Sequence, residues 1–583
     1  MATPEASSSR VSILPSGTAI FVMVVYACTL ILALLHLPPH RLDSAVSIFL
    51  VTIGLLAFWR YSWWALHVVR AIRFKKTIFP RLRHNADGIA ATVQPEHVYV
   101  LITSYRVAAP TTFKVYDALV KNAIDYGQPT TIIASITDQT DVDVLGQVLA
   151  ENGYPDQISI KFMFQRGDGK RSAMADVLRS IARDMPSRDS VIVFMDGDIQ
   201  LEPRALERTI PFFFAERDLG ALTTNNRAIV NGDDWTREWY DLRYAQRDLL
   251  MSSMALSYRL LVLTGRFSVF RADLATKPSF IEIVERDWLD HWRFGRFNFL
   301  SGDDKSTWFW LLKKGYRTLY VPDVFVSGFE ELPDRDRFFQ STISLMRRWY
   351  GNMLRNNGRA IALGPRPMGL FSWWCLVDQR VSIWTSLIGP GVAIFLSIAH
   401  QWSFLVGYIF WIMTVRLVVS LVLGMYRRRF SPLWPPLLYY NQVVGALVKT
   451  YVTCRLNQQT WVRQNITAGE PSDPRQAYRQ RRMSSVLHAA QATAFMTALA
   501  FYTKVLPIPA ASSFGLITGN LALAGERFEA ERAPVWEGRT LPIRDTMIDP
   551  PTTKLKRADP DPVRSLQLTG KLARKTSDAP ARR

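Results

Sequence analysis

From Gly17 to Leu37 the chain reads GTAIFVMVVYACTLILALLHL, 21 residues without one charged side chain. At about 1.5 Å per helical residue such a run crosses roughly 30 Å of hydrocarbon. It is longer than the apolar core of a cleaved signal peptide and no small-x-small site precedes the next apolar segment, so it reads as a retained span. A second run extends from Ala45 to Phe58 and on through Trp63, Trp64 and Ala65 to Val69, interrupted by Arg60 at interfacial depth. Behind this hairpin, RAIRFKKTIFPRLRH carries Arg70, Arg73, Lys75, Lys76, Arg81 and Arg83 and no acid, which assigns the following residues to the cytoplasm.

Apolar density returns with candidate spans Val381 to Ala399 and Phe404 to Gly424, the latter closed by Arg427, Arg428 and Arg429. Leu437 to Thr453 follows three prolines and carries Asn441, Gln442 and Lys449, and the basic stretch after it favours a re-entrant segment over a span. Val486 to Thr503 reads as a further span, and Phe514 to Ala524 is short. Five to seven crossings are expected. The division is 1–84 for the hairpin and its basic flank, 85–350 for a cytosolic domain, 351–525 for interfacial helices and the second membrane region, and 526–583 for a basic, largely disordered tail. The net charge of +20 would also suit nucleic acid, but the cations concentrate beside the spans, where topology accounts for them. Cys28, Cys375 and Cys454 form no CxxC pair, which argues against a disulfide framework or a zinc knuckle.

In the middle, short β-rich runs (Val98 to Thr103, Thr130 to Ile136, Ile158 to Phe164, Val191 to Met195, Ala221 to Thr224) alternate with helical patterns such as Thr111 to Tyr126 and Arg171 to Arg183. This is the signature of a mostly parallel α/β sheet, whose ligands bind beyond the carboxyl ends of the strands. Three acid sites stand at such ends: Asp138, the pair Asp196 and Asp198 in FMDGDI, and Asp303 with Asp304 in LSGDDKS. An acid after a strand is commonly a turn or cap residue. Two carboxylates flanking a glycine can also share one hard divalent cation that bridges a diphosphate. Lys170 and Arg171 follow a glycine-bearing turn at a helix start, Gly265 and Arg266 repeat that arrangement in LTGRFSVFR, and Arg348 beside Trp349 sets a guanidinium next to a flat ring.

Taken in order, TSYR, SITDQTD, GDGKRSAM, FMDGDI, LTGRFSVFR, LSGDDKS and LMRRWYGNMLR resemble the processive family 2 glycosyltransferases, the group of bacterial cellulose, hyaluronan, chitin, alginate and mixed-linkage β-glucan synthases. The resemblance covers roughly residues 40 to 465 and implies a GT-A domain set in an α-helical transmembrane bundle. It implies that Ser104, Tyr105 and Asp138 bind the nucleoside, that Asp196 and Asp198 hold Mg²⁺ or Mn²⁺ and the diphosphate, and that Asp304, beside Asp303, is the general base. Lys170, Arg171 and Arg348 would serve the donor; Trp349, Gly265 and Arg266 the acceptor; Trp461 and Arg463 in QQTWVRQ would help close the site.

Two departures stand out. Leu345 occupies the place of the usual Gln ahead of Arg348 and Trp349, with Gln340 out of register, and Arg106 and Val107 replace an Asn-Glu pair. The GDDK form and the RRWYGNMLRN context look closest to alginate polymerase and mixed-linkage β-glucan synthase, and the long basic tail favours the second. The expected activity is therefore inverting, processive synthesis of a β-glucan from UDP-glucose at the bacterial inner membrane, with export through the bundle. The alternatives are alginate polymerisation from GDP-mannuronate and a nucleotide-binding membrane receptor without chemistry. Expected partners are the nucleotide sugar, the growing polysaccharide, membrane lipid and a periplasmic or membrane-fusion accessory subunit, with no nucleic acid. Asp378, Arg380 and Arg416 are candidates for guiding the polymer; the simpler reading pairs Asp378 with Arg380 at an interfacial helix and lets Arg416 snorkel. Arg475, Arg479, Arg481 and Arg482 form a cluster suited to cyclic di-GMP or, more simply, to anionic lipid.

Overall fold

The structure is a computed structural model that describes residues 17–35, 44–165, 169–461, 466–468, 471, 473–506 and 567–568. Its centre is a nine-stranded sheet built from β1 (Val98–Thr103), β2 (Thr130–Ile136), β3 (Ile158–Phe164), β4 (Val191–Asp196), β5 (Ile199–Leu201), β6 (Leu219–Val230), β7 (Phe267–Arg271) and β10 (Arg317–Glu330), with Gln567–Leu568 on the β3 edge. Between β7 and β10 the chain forms a separate hairpin, β8 (Trp288–His291) and β9 (Gly295–Asn298). The order across the sheet is β3-β2-β1-β4-β7-β6-β10-β5, and β1 pairs in parallel with both β2 and β4. Connections leave β1 in opposite directions on its two sides, so the β1/β4 boundary is the switch point at which such sheets open a crevice. Register puts Thr103 opposite Asp196 at that boundary.

The strands form where β-branched and aromatic residues run together, and they are buried on both faces: every residue of β2 is buried, as are Val98 to Ile102 of β1. Helices Ala109–Tyr126, Thr140–Glu151 and Lys170–Arg183 lie between the first strands, as βαβ connections require. One segment differs from expectation. LTGRFSVFR reads as a cation-bearing turn, yet Phe267–Arg271 is a wholly buried strand inserted antiparallel between β4 and β6. Arg271 ends it with its guanidinium turned inward, donating to the carbonyls of Leu219, Phe213 and Arg217.

Among the described residues, four helices are long and apolar enough to cross a membrane: Gly17–Leu35, Ala45–Ala90, Leu370–Ala399 and Ser403–Arg427. Trp434–Thr453 does not join them, and its polar residues bond to helices of the sheet-bearing region: Asn441 Oδ1 accepts from Trp239 Nε1 at 2.8 Å and Tyr440 hydroxyl meets Thr342 Oγ1 at 2.7 Å. The apolar end of Pro474–Tyr502 is preceded by the exposed cations Arg475, Arg479, Arg481 and Arg482, and that helix also falls outside the four. Asp378 pairs with Arg60 at 2.6 Å rather than with Arg380, whose guanidinium instead reaches the carbonyl of Leu354. Arg416 bonds Gln442. Phe514 to Ala524 and nearly all of 526–583 lie outside the described residues.

Candidate active site

Asp196 is the last residue of β4, and the chain must turn there against the end of β1. Gly197 donates its N–H to the carbonyl of Thr103 at 2.9 Å, and a Cβ at that position would stand 2.9 Å from Ser104 Cα and from the Thr103 oxygen. Only glycine lets the backbone pass so close, which explains Asp-Gly-Asp at this point. Opposite it, Gly302 adopts φ +89° and a Cβ there would meet Asn352 at 2.9 Å, so the LSGDD turn is likewise written for glycine. The helix Asp303–Lys313 starts immediately after, delivering Asp303 and Asp304 into the same cleft.

Lys170, first residue of the helix Lys170–Arg183, joins the two acidic motifs. Its Nζ lies 2.6 Å from Asp196 Oδ1 and 3.2 Å from Asp303 Oδ2. A narrow cleft is lined here by Thr103, Lys170, Asp196, Gly265, Asp303 and Asp304. Around Asp196, Asp198, Asp303 and Asp304 act Lys170, Arg171 and Lys305, one cation fewer than the acids. Burial, opposed by Lys170 and reinforced by Asp198 and Asp303, lifts the Asp196 carboxyl to about 6. Burial would lift Asp303 as well, but Lys170 and Arg171 override it and hold that carboxyl below its ordinary range. Asp304 is raised by burial and by the charge of Asp303, which makes it a better proton acceptor than an exposed aspartate.

This surplus of hard oxygen donors suits a divalent cation. No described group of three or more His, Cys, Asp or Glu side chains is arranged to hold a metal by itself. Asp196 and Asp198 would therefore leave coordination positions for phosphate oxygens and water, the usual sharing at sites that bind metal together with a phosphorylated substrate.

Residues 95–352 match the family described as Glycosyltransferase like family 2. The chain is 43% identical over 429 residues to "Glycosyltransferase alg8" of Pseudomonas syringae pv. tomato, covering 74% of this chain and 87% of that protein. It is 41% identical over 445 residues to "Glycosyltransferase alg8" of Azotobacter vinelandii, covering 76% and 89%. The chain belongs to the family 2 glycosyltransferases. Its sheet-bearing region is a GT-A-like domain. Among solved structures, the mannosyltransferase of Pyrobaculum calidifontis in complex with GDP-Man and Mn²⁺ is similar at 18% identity and TM-score 0.39, covering 70% of this chain and 97% of that one.

The transferase uses its other anticipated residues unevenly. Ser104 is buried, its N–H on the Ser135 carbonyl and its Oγ 3.4 Å from Asp141; Tyr105 is half-buried under Arg106. Asp138 is exposed and accepts from the Thr140 N–H, a turn interaction. Arg171 is buried, and its two terminal nitrogens donate to the carbonyls of Ile283, Val284 and Ser301 and to Ser306 Oγ, bracing the LSGDD turn. Gly265 lies beside Asp196, Lys170 and Asp303. Arg266 pairs with Glu330, which also accepts from the Tyr244 hydroxyl at 2.9 Å. Burial alone would raise Glu330, but Arg266 overrides it and keeps the acid ionised.

Trp349 stacks on Trp239 with centroids 5.8 Å apart, and the Arg243 guanidinium lies 4.1 Å from its centroid. Leu345 is buried in the core and Gln340 is exposed, so neither offers the amide of the usual motif. Trp461 ends the strand Gln459–Trp461 (β11), paired with Ile466–Ala468 (β12), and Gln459 ties that strand to the Asn298 carbonyl and the Leu300 N–H ahead of LSGDD. Arg463 and residues 166–168 lie outside the described residues. The sequence reading missed Asp141, Tyr244, Arg243, Arg247 and Glu330. Glu330 and Arg247 had no motif signal, whereas Asp141 sits in SITDQTD beside the residue chosen.

Proposed function

We infer that this transferase is a processive, inverting polymerase of a β-linked acidic exopolysaccharide, using GDP-mannuronate at the cytoplasmic face of the bacterial inner membrane and passing its product through the helix bundle. The UDP-glucose reading rested on the basic tail, which lies outside the described residues, while both relatives above carry the alg8 name, the alginate branch held open from the sequence. Observation and chemistry meet in the acid set at the β1/β4 switch point, where Lys170 bridges Asp196 and Asp303 and the charge of Asp198 acts on Asp196.

The terminal hydroxyl of the growing chain attacks the anomeric carbon of the donor as the nucleoside diphosphate departs from the opposite face, so an α-linked donor gives a β-linkage. Asp304 accepts the hydroxyl proton; its raised affinity for that proton is set by burial and Asp303. Ser104 and Tyr105 lie at the end of β1 where the nucleoside would rest. When bound, Mg²⁺ or Mn²⁺ held by Asp196 and Asp198 supplies charge neutralisation for the leaving diphosphate. Lys170 keeps the two acid pairs from repelling one another apart.

Membranes containing the protein, incubated separately with labelled GDP-mannuronate and UDP-glucose plus Mg²⁺, test the donor. Polymer from GDP-mannuronate alone supports the reading; polymer from UDP-glucose alone restores the glucan assignment.

A further inference from the structure

Helix Asp234–Ala255 carries two arginines one turn apart, Arg243 and Arg247. Its acids are committed elsewhere: Asp234 to Arg237, Glu238 and Asp241 to Arg429, Asp248 to Lys75 and Arg427. Arg243 lies over the rings of Trp239, at 5.0 Å, and Trp349, at 4.1 Å, and has no hydrogen bond or ion pair among the described residues. Arg247 is half-buried and has no hydrogen bond or ion pair among the described residues. Its charged surroundings are Arg266, Tyr320, Tyr244 and Asp304. Arg266 is already neutralised by Glu330. Neither guanidinium has a carboxylate at ion-pair distance among the described residues; Arg243 lies over Trp349, next in sequence to Arg348, and Arg247 has Asp304 among its charged neighbours.

An unpaired cation in a closing cleft is costly unless the substrate brings the anion. The diphosphate is one candidate. The cation in contact with Asp196 is Lys170, however, whereas Arg243 lies over the Trp349 ring and Arg247 has Asp304 and Arg266 among its charged neighbours. The anion met on the Asp304 side is one carried by the sugars being joined.

We propose that Arg243 and Arg247 bind a sugar carboxylate at the transfer point and so select an acidic sugar over its neutral counterpart. This rests on the uronate reading above and names the residues that would enforce it. The carboxylate belongs either to the incoming donor or to the terminal residue of the chain; both present the same group to a guanidinium fork.

The experiment uses purified full-length protein in nanodiscs with Mn²⁺, as wild type, Arg243→Gln, Arg247→Gln and Arg247→Lys. One arm measures binding of GDP, GDP-mannose and GDP-mannuronate. The other measures chain extension from β-linked mannuronate oligomers and from matching neutral mannose oligomers. The wild type should prefer the carboxylated member by about tenfold or more in at least one arm, equivalent to about 1.4 kcal/mol, and the arm in which it does so identifies the source. The Gln variants should lose most of that preference while binding GDP as before, which also reports that they are folded, and Arg247→Lys should recover part of it. A preference kept in both Gln variants overturns this inference alone, and so does an equal loss of GDP affinity, since the cation then serves the diphosphate. A wild type indifferent to the carboxylate in both arms overturns the uronate reading together with the inference.

Discussion

Asp196 and Lys170 together set how the site responds to pH. With its carboxyl lifted to about 6 chiefly by burial, Asp196 binds a proton in competition with metal, so metal affinity should rise by about tenfold per unit as pH climbs toward 6 and level off above it. Titration of Mn²⁺ binding between pH 4.5 and 8 checks this; a flat profile would remove Asp196 from the metal site. The same shift has a stability sign. A carboxyl raised in the folded state stabilises the metal-free fold fully only below its ordinary value near 3.8 and loses that contribution as pH rises through about 6. Added metal should restore stability most at neutral pH, visible as a larger rise in melting temperature at pH 7.5 than at pH 5.

Turns carry the precision at the level of elements. Gly197→Ala pushes a Cβ into the backbone of Ser104 and Thr103, and Gly302→Ala adds a left-handed strain to a clash with Asn352, so both should lower transfer by at least about a hundredfold. Wild-type rates in either would contradict the close approach. Arg171→Met should cost about 3 kcal/mol by stranding carbonyls and Ser306, measured as lost thermal stability, with Arg171→Lys unable to reach all four acceptors. The strands that precede these turns were legible because β-branched runs such as VYVLIT and TTIIASI have nothing else to do but pair, and the acids at their ends inherit positions from the sheet. Antiparallel β7 was not legible, since its arginines and serine disguise a buried strand whose Arg271 is satisfied by carbonyls distant in sequence. Nor was Arg171, whose neighbours in a phosphate-like motif conceal a bracing role.

Across the whole molecule, the helices Asp234–Ala255 and Phe338–Ala362 are joined to the apolar helices and to Trp434–Thr453 by polar bonds that no hydropathy pattern reveals: Trp239 to Asn441, Thr342 to Tyr440, Arg427 and Lys75 to Asp248. They explain why Trp434–Thr453 carries amides inside an otherwise apolar stretch. The Arg60–Asp378 pair links the second apolar helix to Leu370–Ala399 with the carboxylate almost wholly buried. Asp378→Ala should destabilise detergent-solubilised protein by about 3 kcal/mol, and the double variant with Arg60→Ala should recover part of the loss, because the stranded cation is then gone. A loss in the double variant equal to the sum of the two single losses would show that the two charges act independently.

Polymer formation by purified wild type and Asp304→Asn, each in nanodiscs with labelled GDP-mannuronate and Mn²⁺, reaches the centre of the account most directly. Wild type should build chains, and Asp304→Asn should bind the donor as well yet incorporate label at least about a hundredfold more slowly. Chain growth by Asp304→Asn at the parental rate would contradict the assignment of the base and, with it, the reading of the four-acid cleft as the place where sugars are joined.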